Sequence, residues 1–244
     1  QIAALLTISE SLKSKVQGPS SPTQNSKNDI GHETLDVGRP LTIGFTGPGG
    51  AGKTTLIDEI VLRYLNAFPN SRVAILSHDP SIVGNGALLG DRASMIYSQD
   101  DRVFMHSLAS RGQSGGVARG TDRCLRVLKH VKPHGHNAEF DLILVETVGT
   151  GQEAVPFQKE WVDQTVMVMS PGYGGRLQLQ KIAMLDLADI VVVNKSDLAG
   201  AKTASSEIDQ RLSTNDRRQK IVSTIAKHHR DPGVDQLFKY LVNP

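Results

Sequence analysis

From Leu41 onward the chain alternates two kinds of stretch. Short apolar runs fall at Leu41–Phe45, Val73–Ser77, Val103–Ser107, Leu142–Glu146, Thr165–Ser170, Ile190–Asn194 and Lys220–Thr224. Runs such as LILVE and IVVVN are apolar without alternation, which is how strands covered on both faces read. Between the runs, Leu56–Asn66, Val117–Val131, Leu177–Leu185 and Ser206–Leu212 place apolar residues at helical spacing, and Val234–Leu241 closes the chain the same way. Strands interleaved with helices require crossover connections, so the pattern predicts an α/β fold of three layers, with a mostly parallel central sheet flanked by helices. The first forty residues read differently. Residues 1–16 suit a short amphipathic helix with Ile2, Leu5, Leu6 and Leu12 on its apolar side, and Gln17–Pro40 is rich in Pro, Gly, Ser and Asn without periodicity. We therefore expect an N-terminal helix and linker over 1–40 and a folded domain over 41–244.

Composition narrows the field without selecting a function. At 244 residues, 39% apolar and 21% charged, with a net charge of +2, the chain has the balance of an ordinary globular protein. Its Lys and Arg residues are scattered rather than striped, so no nucleic-acid partner is expected. No apolar run approaches the ~18 residues of a membrane span, so no membrane is expected either. A single cysteine, Cys124, leaves no internal disulfide and no Cys-rich metal site. That usage fits a reducing compartment, which we take as the cytoplasm, with a mitochondrial matrix left open. The chain starts at Gln1 without the basic opening of a secretory signal, so we expect the numbering to begin inside a longer product or after processing.

The first chemical signal is GPGGAGKT, Gly47 to Thr54, between an apolar run and a helical pattern. It fits G-x-x-x-x-G-K-[ST], in which glycines let successive N–H groups face a phosphate and the following helix start adds its own unpaired N–H groups. Candidate nucleotide-binding residues are therefore Gly47, Gly49, Gly50, Ala51, Gly52, Lys53, Thr54 and Thr55. Lys53 would reach the β- and γ-phosphates, a catalytic role, and the Thr54 hydroxyl would bind Mg²⁺. The expected fold is then a three-layer P-loop nucleoside triphosphatase.

Two strand ends refine this. Asn194-Lys195-Ser196-Asp197 follows the buried run VVV. A carboxylate at Asp197 can accept both the N1–H and the 2-amino hydrogens of guanine, a match adenine does not offer. Asn194 and Lys195 would brace that loop, so GTP and GDP are the expected ligands. The run LILVE ends at Glu146, placed to ligate Mg²⁺ directly or to act behind it, and Gly149 follows three residues on, free to turn toward a γ-phosphate.

HDPSIVGNGALLGDR (His78 to Arg92), ETVGTGQE (Glu146 to Glu153) and SPGYGGRLQLQKIAMLDLADIVVVNKSD (Ser170 to Asp197) together resemble one family from about Leu41 to the C-terminus. It is that of the GTPases serving cobalamin-dependent acyl-CoA mutases, the stand-alone MeaB/ArgK type and the G-domain fused in isobutyryl-CoA mutase. The resemblance implies that Asp79, Asp91 and Glu146 surround Mg²⁺ alongside Thr54. It implies a second switch over Glu146–Glu153 with Gln152 near the γ-phosphate, so that Lys53, Gln152 and Glu146 are the candidate catalytic residues. Ser170–Gln180 would be a third switch that relays the nucleotide state to the mutase. The implied partner is an acyl-CoA mutase of the methylmalonyl-CoA or isobutyryl-CoA type, fused or separate, which would carry the cobalamin; a homodimer is left open.

Departures from the family pattern bear on the activity. Ser81–Gly86 is one residue shorter than usual and carries no Lys or Arg, which predicts slow turnover without the partner if that cation stabilises the transition state. His106 stands where Arg is common, and with the chain ending soon after Leu241 we expect no dimerisation arm of the kind stand-alone members carry. Three readings stay open: a GTPase chaperone gating cofactor loading or protection, a guanine-nucleotide-binding regulatory module with little hydrolysis, and an ATP-dependent small-molecule kinase. The histidines of Lys132–His136 and His228–His229 invite a nickel metallochaperone, but a polar loop explains them more simply. Cys124 reads as core packing, Phe157 and Trp161 as core or partner contact. Arg102, Arg111, Arg119 and Arg123 read as solvated, with one available as a charge donor.

Overall fold

The structure, a computed structural model, describes residues 39–80, 95–130, 140–149, 157–158, 160–173, 183–213 and 219–243. The N-terminal segment, Asp91, Gln152, the Lys132–His136 histidines and most of the three switch segments lie outside the described residues.

All seven apolar runs form strands of one sheet: β1 (Leu41–Thr46), β2 (Val73–Asp79), β3 (Val103–Ala109), β4 (Leu142–Glu146), β5 (Gln164–Met169), β6 (Ile190–Val193) and β7 (Lys220–Ser223). Their order is β3-β2-β4-β1-β5-β6-β7, with every neighbouring pair parallel. Alternate residues of a strand face opposite sides, and here both sides are covered, which is why the runs are apolar throughout. On one side Ile43, Phe45, Val73, Ile75, Leu144, Val166 and Val192 pack with Leu56, Ile57 and Ile60 of helix α1 (Lys53–Ala67) and Val234, Leu237 and Leu241 of helix α5 (Pro232–Val242). On the other, Ala74, Leu76, Ile143 and Val145 meet Cys124, Leu125 and Leu128 of helix α2 (Thr121–His130). Met167, Met169, Val191 and Val193 meet Leu185 of helix α3 (Ala183–Leu187) and Ala204, Ile208 and Leu212 of helix α4 (Ala201–Leu212).

Local chemistry explains where the helices depart from the sequence pattern. The apolar spacing from Val117 suggests an early start for α2, but Gly116 and Gly120 hold positive φ, and the helix begins only at Thr121. Helix α4 starts at Ala201, well before Ser206, because Gly200 turns the chain directly into it. Helix α5 has the expected signals: Asp231 accepts the Val234 N–H at 2.9 Å, and Pro232 occupies the first turn.

Two side chains pin loop ends onto this frame. Phe157, 5% exposed, lies over Gly44, where a Cβ would stand 2.5 Å from its ring, so β1 leaves a notch that the aromatic ring fills. Phe157 is core, and Trp161 packs half-buried beside it. Asp58, buried on α1, accepts the backbone N–H groups of Ile96 and Tyr97, both at 3.0 Å. Burial pushes its carboxyl above the ordinary carboxylate range, partly offset by those two N–H groups. Arg102 is not simply solvated, since it binds Asp100 at 2.7 Å and the carbonyls of Leu65 and Pro69. We predict that Asp58→Ala lowers unfolding free energy by about 2 kcal/mol in urea denaturation, because two N–H groups lose their acceptor. Amide exchange at Ile96 and Tyr97 should accelerate more than exchange in β1.

Candidate nucleotide site

The C-terminal ends of parallel strands gather the loops that can bind a ligand. Strand β1 is central, flanked by β4 and β5, and its end runs straight into Gly47–Gly52 and then α1. Ala51 is buried, Thr55 is exposed, and Gly47 and Gly50 both hold positive φ. Gly52 caps α1 at φ 90°, and a Cβ there would meet Asn194 Nδ2 at 2.4 Å, so both backbone and space exclude a side chain. The Gly49 N–H donates to the Gly149 carbonyl at 2.9 Å, and a Cβ on Gly149 would stand 2.3 Å from Gly49. The glycine loop and the segment after β4 are thus in direct backbone contact. Lys53 is buried and bonds the carbonyls of Gly47 at 2.9 Å and Pro48 at 3.2 Å, which holds its ammonium across the mouth of the loop.

Thr54 and Glu146, predicted from separate motifs, are brought together, the Thr54 hydroxyl donating to Glu146 Oε1 at 2.7 Å. The other carboxylate oxygen takes the Ser77 hydroxyl at 3.3 Å. Asp79 is buried at the end of β2, two residues beyond Ser77, which pairs in register with Glu146. Thr54, Glu146 and Asp79 offer only hard oxygen donors, the set Mg²⁺ prefers, and few enough that phosphate and water would complete its shell. Among the described residues no three His, Cys, Asp or Glu side chains converge as an all-protein metal site. His229, part of the nickel reading, instead contacts buried Glu59 of α1 at 2.5 Å.

The N-K-x-D loop is built around Asn194. Its Nδ2 donates to the Ala51 carbonyl at 2.9 Å, while its Oδ1 accepts the Thr224 hydroxyl and the Ala226 N–H, both at 3.0 Å. One buried carboxamide thereby joins the loops after β1, β6 and β7. Lys195, at φ 58°, reaches the Gly50 carbonyl at 2.7 Å. The Lys227 ammonium, 2.5 Å from Asp197, holds that carboxyl below the ordinary carboxylate range. The sequence pattern singles out Asn194, Lys195 and Asp197, and the structure adds Thr224, Ala226 and Lys227 as their partners, which the pattern missed. Their signal was present: a short polar loop following a strand in the same sheet as the N-K-x-D strand.

His78 was also missed. Buried at 3% exposure, it lies 2.7 Å from the Glu146 carbonyl through Nδ1 and 2.8 Å from the Thr121 hydroxyl through Nε2. Burial pushes its pKa down to about 4, so the ring is neutral near pH 7. A carbonyl can only accept, so Nδ1 carries the proton toward Glu146, while Nε2 lies beside a Thr121 hydroxyl that also bonds the Ala118 carbonyl at 2.8 Å. The loop leading to Thr121 is tied to the same region, with Ser110 N–H donating to the Asp79 carbonyl at 2.8 Å and Val148 N–H to the Gly116 carbonyl at 2.9 Å.

A strand, a glycine loop and a helix, beside a carboxylate at a neighbouring strand end, define the P-loop class of nucleotide-binding α/β proteins. The solved structure of HypB from Helicobacter pylori in complex with nickel shares the fold at a TM-score of 0.62 and 15% identity, over 83% of this chain and 86% of that one. The sequence matches the family described as methylmalonyl Co-A mutase-associated GTPase MeaB over residues 3–243, and the chain belongs to it. It is 37% identical over 213 residues to a fused isobutyryl-CoA mutase of Geobacillus kaustophilus, covering 84% of this chain but 19% of that protein. It is 36% identical over 169 residues to the mitochondrial methylmalonic aciduria type A homolog of Mus musculus, covering 68% of this chain and 38% of that one. The chain thus spans about a fifth of the fused mutase and under half of the mouse protein. Membership in this P-loop GTPase family implies a guanine nucleotide and Mg²⁺ as ligands. No described helix is long and apolar enough to cross a membrane.

We predict that Asn194→Ala destabilises the protein by about 3 kcal/mol, since three buried partners lose their hydrogen bonds. In a fluorescent-GDP titration the same variant should bind at least about tenfold more weakly than wild type, a loss of some 1.4 kcal/mol in affinity.

Proposed function

We propose that this chain is a Mg²⁺-dependent GTPase that acts as a G-protein chaperone, gating cobalamin loading or protection of an acyl-CoA mutase. The observation that carries the reading is the bracing of the base-reading loop on the phosphate loop, through Asn194 on Ala51 and Lys195 on Gly50. A nucleotide spanning the two loops would meet the Asp197 carboxylate at its base and the backbone N–H groups of Gly49–Lys53 at its phosphates. Lys53 would exchange its two carbonyl contacts for β- and γ-phosphate oxygens. Thr54 and Glu146 would hold Mg²⁺, with Asp79 and Asp91 completing the acidic side. When bound, the ion draws charge off the phosphate oxygens. Gly149 meets the phosphate loop, and Gln152, outside the described residues, would orient the attacking water. The products would be GDP and inorganic phosphate. The Mus musculus and Geobacillus relatives support a mutase of the methylmalonyl-CoA or isobutyryl-CoA type as partner, in the same or a separate chain.

One observation favours a second reading, a nucleotide-sensing module with negligible turnover: Ser81–Gly86 contains no Lys or Arg. Steady-state GTP hydrolysis with Mg²⁺, with and without a cobalamin-dependent acyl-CoA mutase, separates the two. We expect a slow basal rate that the mutase raises by about tenfold or more, a cation then being supplied in trans. GTP binding with negligible turnover in both conditions would support the sensing module. Lys53→Ala should abolish turnover. Asp197→Asn should reduce the preference for GTP over ATP in competition, and an unchanged preference would overturn the base assignment.

A further inference from the structure

Strands β2 and β4 run in register until Ser77 pairs with Glu146. One residue past that pair, the His78 side chain reaches across to the Glu146 carbonyl at 2.7 Å. The same Glu146 presents its carboxylate to Thr54 at 2.7 Å, so the group that meets the metal end and the group that His78 grips belong to one residue. The far side of the imidazole is held by Thr121, the first residue of α2, at 2.8 Å. An apolar residue at position 78 would fill the space but make neither of these contacts.

We propose that His78 is a positioning residue for the metal end of the nucleotide site, its Nδ1–H fixing the Glu146 main chain so that the carboxylate faces Thr54. Both ring nitrogens face protein groups, so the ring would act through Glu146 and not by touching the nucleotide or the metal. The inference rests on the reading of Thr54 and Glu146 as the Mg²⁺ end of a guanine-nucleotide site.

Two substitutions divide the ring's contacts between them. Asparagine at 78 offers an amide N–H at the δ position and keeps the grip on Glu146, whereas glutamine offers its polar group at the ε position and keeps only the Thr121 side. The measurements are fluorescent-GDP affinity in EDTA, the same affinity across a Mg²⁺ titration, the Mg²⁺ dependence of GTP hydrolysis, and Tm. We expect His78→Gln and His78→Ala to raise the half-saturating Mg²⁺ concentration about tenfold, with His78→Asn within about twofold of wild type, as for groups that orient a metal ligand from behind. Affinity for GDP in EDTA should stay near the wild-type value in all three. An equal Mg²⁺ midpoint for His78→Gln, His78→Asn and wild type would overturn the proposal. So would a parallel loss of Tm, EDTA affinity and Mg²⁺ response in every variant, which would make the histidine core packing only. Should His78→Ala fail to fold, the asparagine–glutamine comparison decides alone. Wild-type protein that bound no guanine nucleotide at any Mg²⁺ concentration would overturn the nucleotide reading and this inference with it.

Discussion

A single buried carboxamide, that of Asn194, fixes the distance between the two halves of the site. It donates to the phosphate loop and accepts from the loop after β7, which ties the ends of three strands to one planar group. A carboxamide can do this because it carries donor and acceptor about 2 Å apart on one rigid plane. Any side chain with only one kind of polar group would leave one of the three loops untethered. The spacing between the N-K-x-D loop and the glycine loop is therefore held by hydrogen bonds within the protein, so a ligand bridging them would meet a frame already set.

A second layer of polar contacts lies behind the phosphate loop, along α1. Asp58 and Glu59 are adjacent, both buried, and face different partners: Asp58 holds Ile96 and Tyr97, while Glu59 binds Arg63 at 2.7 Å and His229. Arg63 in turn reaches Asp235 of α5 at 2.6 Å and the His229 carbonyl at 3.1 Å. Two neighbouring buried carboxylates repel each other and are costly to desolvate, so each needs its own donors. The result is that α1, whose N-terminus follows the glycine loop, is connected by side chains to the segment that precedes β3 and to the chain that follows β7.

Much of this was legible in the sequence because the chemistry is local. Seven apolar runs gave seven strands, and the glycine loop and N-K-x-D each announce a ligand group within a few residues. What escaped is long-range. Phe157 could be core or contact until Gly44 supplied its notch, and nothing in the sequence near His78 says that its ring meets Glu146 and Thr121. For Lys227 the sequence shows a polar loop after a strand, but not that its ammonium meets an Asp197 that is 30 positions away. Periodicity overstated the start of α2, because it registers apolar spacing and not the glycine backbone angles that delay the first helical turn.

The notch in β1 has a consequence for how this sequence can vary. Gly44 and Phe157 share one volume: the strand gives up a side chain so that the ring can take its place. Enlarging position 44 leaves no room for a ring, and shrinking position 157 opens a void against the central strand, so neither site can drift alone. The two positions should therefore covary among relatives, a small residue in the strand accompanying an aromatic one at position 157, and a larger residue accompanying a smaller one.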